Sequence, residues 1–94
     1  MTDISPAATS AAALPGELRE HCYRPVLGDT PVGATDDFFA LGADSIDLMR
    51  VVTAAQDHYR VEIDVAEFFE APTLDRLAQI VGRELAAGRV QAAS

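Results

Sequence analysis

The sequence predicts an all-α fold: three main helices and one short one, with a long loop after the first. Three observations carry this. Large apolar residues recur at helical spacing in three separate stretches. Those stretches are punctuated by residues that start or stop helices, Pro15, Gly28, Thr73 and Gly88 among them. The chain has 94 residues, 49% of them hydrophobic, and 17 of the apolar ones are alanine. That leaves enough large side chains for a small helical bundle and too few for a sandwich or a doubly wound sheet.

The first thirteen residues are small and polar without apolar periodicity and are expected to form a disordered tail. A single domain is expected over residues 14–88, followed by a second tail at 89–94. In the first helix, Pro15 suits a helix start, and Leu14, Leu18 and Cys22 share a face that Val26 continues. Pro25 lacks an N–H and crowds the preceding turn, so a kink or an early end is expected near Arg24. Residues 28–44 form a long connection, anchored by Phe38, Phe39 and Leu41, in which Thr35 is placed to cap a short helical turn. Gly42 permits a positive φ before the next helix.

The second helix is expected from Ser45 to Tyr59. Leu48, Val51, Val52, Ala55 and Tyr59 form its core stripe. Ile46, Met49 and Thr53 fall on a different stripe beside Ser45, with Asp47, Arg50 and Asp57 further out. Two large apolar residues on an outer face suggest a docking patch. Val61 and Ile63 alternate as in a strand, but an isolated strand is not stable, so an extended connector with both side chains inward is expected. Asp64 and Glu67 have capping-box spacing before a short helix, Val65–Glu70, that buries at least one of Phe68 and Phe69. After Pro72, Thr73 caps a last helix whose apolar face is Leu74, Leu77, Ala78, Val81 and Leu85, and Gly88 ends it.

Net charge is −8, and all seven bases are arginine. Ten acids and only two bases, Arg50 and Arg60, lie between Asp29 and Glu70. Such a field repels phosphate backbones, so nucleic acid is not an expected partner, while basic protein surfaces are. One cysteine excludes a disulfide framework and a zinc site built from cysteine pairs. No apolar run is long enough to span a membrane, and the N-terminal residues do not read as a signal peptide. A cytoplasmic monomer is therefore expected.

Ser45 lies at the mouth of the second helix, where either it or Asp44 could cap the free amides. As a nucleophile it lacks a base. His58 is thirteen residues further on, roughly 20 Å along the same helix, and nothing in the sequence places His21 nearby. A serine there suits modification by another enzyme. Cys22 reads as a buried apolar residue, His58 as a partner of the terminal carbonyls, and Asp29, Asp36 and Asp37 as solvated loop charges without calcium-loop spacing.

The run Asp36-Asp37-Phe38-Phe39-Ala40-Leu41-Gly42-Ala43-Asp44-Ser45-Ile46 resembles the D-x-F-F-x-L-G-x-x-S-[LI] signature of the acyl and peptidyl carrier proteins of fatty-acid, polyketide and nonribosomal peptide synthesis. Phe68-Phe69-Glu70-Ala71-Pro72-Thr73-Leu74 resembles their later F-F-E-x-P-T-[LIV] segment, at matching spacing. The resemblance covers residues 15–86. It implies a four-helix carrier-protein bundle that is not itself an enzyme. It implies that Ser45 receives covalent 4′-phosphopantetheine from coenzyme A through a phosphopantetheinyl transferase. The arm would hold acyl or aminoacyl thioesters. Asp44, Ile46, Asp47, Met49, Arg50 and Thr53 would meet the partners: the transferase, a loading adenylation enzyme or acyltransferase, and a downstream ketosynthase or condensation enzyme.

Asp44-Ser45-Ile46-Asp47 looks like acyl carriers, whereas Phe38-Phe39, Arg50 and Glu70-Ala71-Pro72-Thr73 look more like peptidyl carriers. The chain is expected to be a free-standing carrier of secondary metabolism. The competing expectation is an acidic helical adaptor without a prosthetic group, which explains the charge but not the serine signature.

Overall fold

The computed structural model describes residues 13–87, and four helices carry the architecture. Helix α1 covers residues 14–27 in three consecutive parts: α-helical Leu14–Leu18, a π-turn Arg19–Tyr23, and a last α-turn Arg24–Leu27. Helix α2 is Ser45–Tyr59, α3 is Val65–Glu70 and α4 is Leu74–Ala87. α1 packs against both α2 and α4, and α3 packs against α4. The tails expected at 1–13 and 89–94 lie, except for Ala13, outside the described residues, as does Gly88.

The helix does not end at Arg24 but runs on to Leu27, leaving α geometry in the π-turn just before it. In an α-helix the Pro25 ring would collide with the carbonyl four residues back. The π-turn removes that conflict: Arg24 N–H reaches back five residues to the Arg19 carbonyl, and Pro25 then sits in the first turn of the closing α-segment, where a missing N–H costs little. The wide turn also rotates that closing segment about the helix axis. Leu14, Leu18 and Cys22 are buried as the spacing predicts, but Tyr23 joins them and Val26 is only partly covered. Gly28, at φ 68°, ends α1 with its N–H on the Arg24 carbonyl at 2.8 Å.

The long loop is tied down by backbone hydrogen bonds. Phe38 N–H donates to the Pro72 carbonyl at 2.8 Å, and Asp75 N–H donates to the Ala34 carbonyl at 2.9 Å. Arg19 Nε donates to the Val32 carbonyl at 3.0 Å. These bonds hold the loop against the corner between α3 and α4 and against α1. Phe38 is fully buried, edge-on to Tyr23. The short helical turn is a 3₁₀ turn, Phe39–Leu41, and its cap is Asp37 rather than Thr35: Asp37 Oδ1 accepts from Phe39 N–H at 2.8 Å and from Ala40 N–H at 3.3 Å. Asp36 Oδ2 likewise accepts from Gly33 N–H at 2.9 Å. Two of the three loop acids are therefore turn formers. Asp29 is exposed and lies 3.5 Å from Arg24.

The five core residues expected on α2 are all buried. No β-strand forms among the described residues. Val61 and Ile63 turn inward from an extended connector, held where Ile63 N–H meets Gln56 Oε1 at 3.1 Å. Asp64 caps α3 by accepting from Glu67 N–H at 3.3 Å. The Glu67 carboxylate does not complete the box, because it is pulled to α4, where Arg83 Nη2 lies 2.6 Å and Arg76 Nη1 3.4 Å away. Thr73 Oγ1 caps α4 at 3.1 Å from Arg76 N–H, and Ile80 joins Leu74, Leu77 and Val81 in the core while Ala78 and Leu85 lie at its margin.

Candidate functional site: the mouth of helix α2

The approach to α2 is set residue by residue. The 3₁₀ turn ends at Gly42, whose φ of 94° reverses the chain where a side chain would be strained. Ala43 is buried, so a small residue brings the backbone close to the core. Asp44 is then extended at φ −114°, ψ −174° and acts as the N-cap. Asp47 N–H donates to Asp44 Oδ1 at 2.9 Å, and Asp44 N–H donates to Asp47 Oδ2 at 3.3 Å. This reciprocal pair settles which residue caps the helix. Ser45 is the first helical residue, exposed, and its hydroxyl takes no part in the cap.

Neither of the chain's two histidines is placed to activate Ser45. The His21 and His58 rings stack on each other with centroids 4.6 Å apart and planes 17° from parallel. His58 therefore packs on α1 instead of capping terminal carbonyls, and both imidazoles sit roughly 20 Å along α2 from the serine at 1.5 Å per residue. No serine–histidine dyad can form. Cys22 is buried in the core, where loss of water pushes its thiol up to about 12. Among the described residues no cluster of three or more potential ligands could hold a metal ion.

The outer face of α2 carries what the stripe predicts. Ile46 is 65% exposed and Met49 43%. With Arg50, Thr53 and Ala54 they line a shallow groove that starts one residue after Ser45. Asp44 and Asp47, paired across the cap, lie within three residues of Ile46 in the chain. Sequence reasoning missed one residue of this groove. Ala54 follows Arg50 by one helical turn. Phe69 is exposed, with its ring 5.8 Å from Phe39, while Phe68 fills the core. Adjacent residues on a helix point about 100° apart, so Phe68 and Phe69 could not share one face.

The family described as "Phosphopantetheine attachment site" matches residues 20–81, which include the whole approach to α2 and all of it. The chain belongs to this family of carrier domains. The carrier is 43% identical over 68 residues, 72% of its length, to tyrocidine synthase 3 of Brevibacillus parabrevis. It is 36% identical over 67 residues, 71% of its length, to surfactin synthase subunit 2 of Bacillus subtilis. It spans only about 1% and 2% of those two proteins. Among solved structures it is similar to one chain of a complex between the phosphopantetheine transferase Sfp, coenzyme A and a peptidyl carrier protein. There the TM-score is 0.69 and the identity 32%, over 76% of this chain and 91% of that one. Both of these relatives are named as peptide synthases, and the carrier named in that complex is a peptidyl one. The prosthetic group of the family is 4′-phosphopantetheine.

The residues at the mouth of α2 fit that group. An exposed hydroxyl, free of capping duty, is available to take a phosphodiester. The first turn of a 15-residue helix offers a positive dipole end to the charge that such a linkage brings.

Proposed function

We propose that Ser45 is the attachment point and that the chain is a peptidyl-type carrier of nonribosomal peptide synthesis, with a carrier unit of residues 14–88. A phosphopantetheinyl transferase loads Ser45 from coenzyme A. An adenylation enzyme then charges the arm with an aminoacyl group, and a condensation enzyme takes the product onward. The carrier catalyses none of these steps, and it works in the cytoplasm, where coenzyme A is supplied. When bound, the arm supplies a terminal thiol that holds the intermediate as an activated thioester.

The chain's own residues do the rest. Asp44 and Asp47 fix the first turn of α2, so the Ser45 hydroxyl is held at a constant height and direction on the surface. Ile46, Met49, Arg50, Thr53 and the two capping acids present a docking face beside it. A mobile arm on a rigid helix raises the effective concentration of cargo at each partner. Weak, rapidly exchanging docking suits a shuttle.

The observation that carries this reading is the division of labour at the cap: Asp44, not Ser45, takes the capping role, so the serine is free for modification. The experiment is loading with coenzyme A, magnesium and a broad-specificity phosphopantetheinyl transferase, followed by intact mass, for the wild type and Ser45→Ala. The carrier gains one phosphopantetheinyl group and the variant none, with unchanged helical circular dichroism. A folded wild type that gains nothing leaves the acidic adaptor as the better description.

A further inference from the structure

The groove on α2 has one feature that its acidic surroundings do not lead one to expect. Arg50 is one of only two bases among ten acids between Asp29 and Glu70, and the other, Arg60, sits at the far end of α2. At helical spacing the acid placed to neutralise Arg50 is Asp47, three residues earlier. Its Oδ2 accepts Asp44 N–H at 3.3 Å in the capping box, and no ion pair joins it to Arg50. The ion pairs among the described residues use Arg24, Arg76 and Arg83. Arg50 therefore enters the groove as an uncompensated cation beside exposed Ile46 and Met49.

We infer that Arg50 is a specificity-determining residue that meets a carboxylate on the phosphopantetheinyl transferase; the inference rests on the reading of Ser45 given above. A wholly basic docking surface would place like charge against Arg50, an arrangement that selects against binding. The surface that fits is mixed. It offers basic groups to Asp44 and Asp47, an apolar side chain to the groove between Ile46 and Met49, and one Asp or Glu to Arg50.

The two charge patterns predict opposite signs, so loading kinetics separate them. The carrier and its Arg50→Lys, Arg50→Ala and Arg50→Glu variants are titrated against an Sfp-type transferase with coenzyme A at low salt. Arg50 is exposed, and a matching thermal melt confirms that each variant folds. Arg50→Glu is expected to raise KM for the carrier by about three- to tenfold with kcat within about twofold; Arg50→Ala lies between, and Arg50→Lys stays close to wild type. An unchanged KM for Arg50→Glu, or a lower one as a wholly basic surface would give, overturns the inference while leaving Ser45 loading intact. A wild type that is not loaded at all overturns the Ser45 reading, and this inference with it.

Discussion

Asp44 and Asp47 exchange two hydrogen bonds across the first turn of α2, at 2.9 and 3.3 Å, with Ser45 between them and outside the exchange. The pair anchors the turn from which the serine projects. Removing one acceptor leaves free amides at the helix start. Asp44→Ala should therefore lower stability by about 1 kcal/mol in urea denaturation. Asp44→Asn, which keeps an acceptor, should lose only a few tenths. Equal losses in the two variants would mean that the box contributes charge rather than hydrogen bonding.

The same two acids belong to the proposed docking face. Changing both to asparagine keeps acceptors in place but removes two negative charges from the docking face. Transferase loading of Asp44→Asn/Asp47→Asn should slow, and its salt dependence should flatten, because less attraction remains to be screened. Identical salt slopes for variant and wild type would contradict a steering role.

Glu67 joins α3 to α4 through Arg83 and Arg76. The hydrogen bond from Arg83 comes first among the causes that hold its carboxyl below the ordinary carboxylate range, and the positive charge of both arginines adds to it. A lowered folded-state pKa stabilises above the unfolded value and loses that stabilisation as pH falls through the folded one. Glu67→Gln should therefore be less stable than wild type at neutral pH. The urea midpoints of the two proteins should converge as pH drops below the carboxylate range. A constant gap down to acid pH would assign the effect to packing instead of charge.

Cys22 supplies an internal control for thiol chemistry. Burial pushes its thiol up to about 12, so almost none is thiolate near neutrality. Native unloaded protein should resist a maleimide at pH 7, while protein unfolded in urea should take up one equivalent. After transferase loading, the native protein should react once, at the arm. Rapid labelling of unloaded native protein would show that α1 opens on the timescale of the reaction.

How much of the molecule was legible in the sequence depends on how local each cause is. The core face of α2, its bounds and those of α3 come from spacing and capping residues a few positions apart, and they match. The positive φ at Gly42 and the inward turn of Val61 and Ile63 are local too. The misses depend on contacts across the chain. Pro25 read as a helix breaker because only the preceding π-turn, which no residue pattern announced, makes room for it. Asp37 replaces Thr35 as the cap of the loop's short turn because that turn starts at Phe38, whose N–H is held by the Pro72 carbonyl from the α3–α4 corner. His58 stacks on His21 because α1 and α2 pack side by side. At the site itself, the motif singles out Ser45, but whether it or Asp44 caps the helix required the geometry.

The most direct test of the account is where the group sits. The chain has four serines: Ser5, Ser10, Ser45 and Ser94. After loading with coenzyme A, magnesium and transferase, the protein is digested and its peptides are fragmented in a mass spectrometer that detects ejection of the pantetheine arm. The account predicts that every ejecting peptide contains Ser45 and that fragment ions place the modification on that residue. A loaded protein whose group maps to Ser5, Ser10 or Ser94 would contradict it.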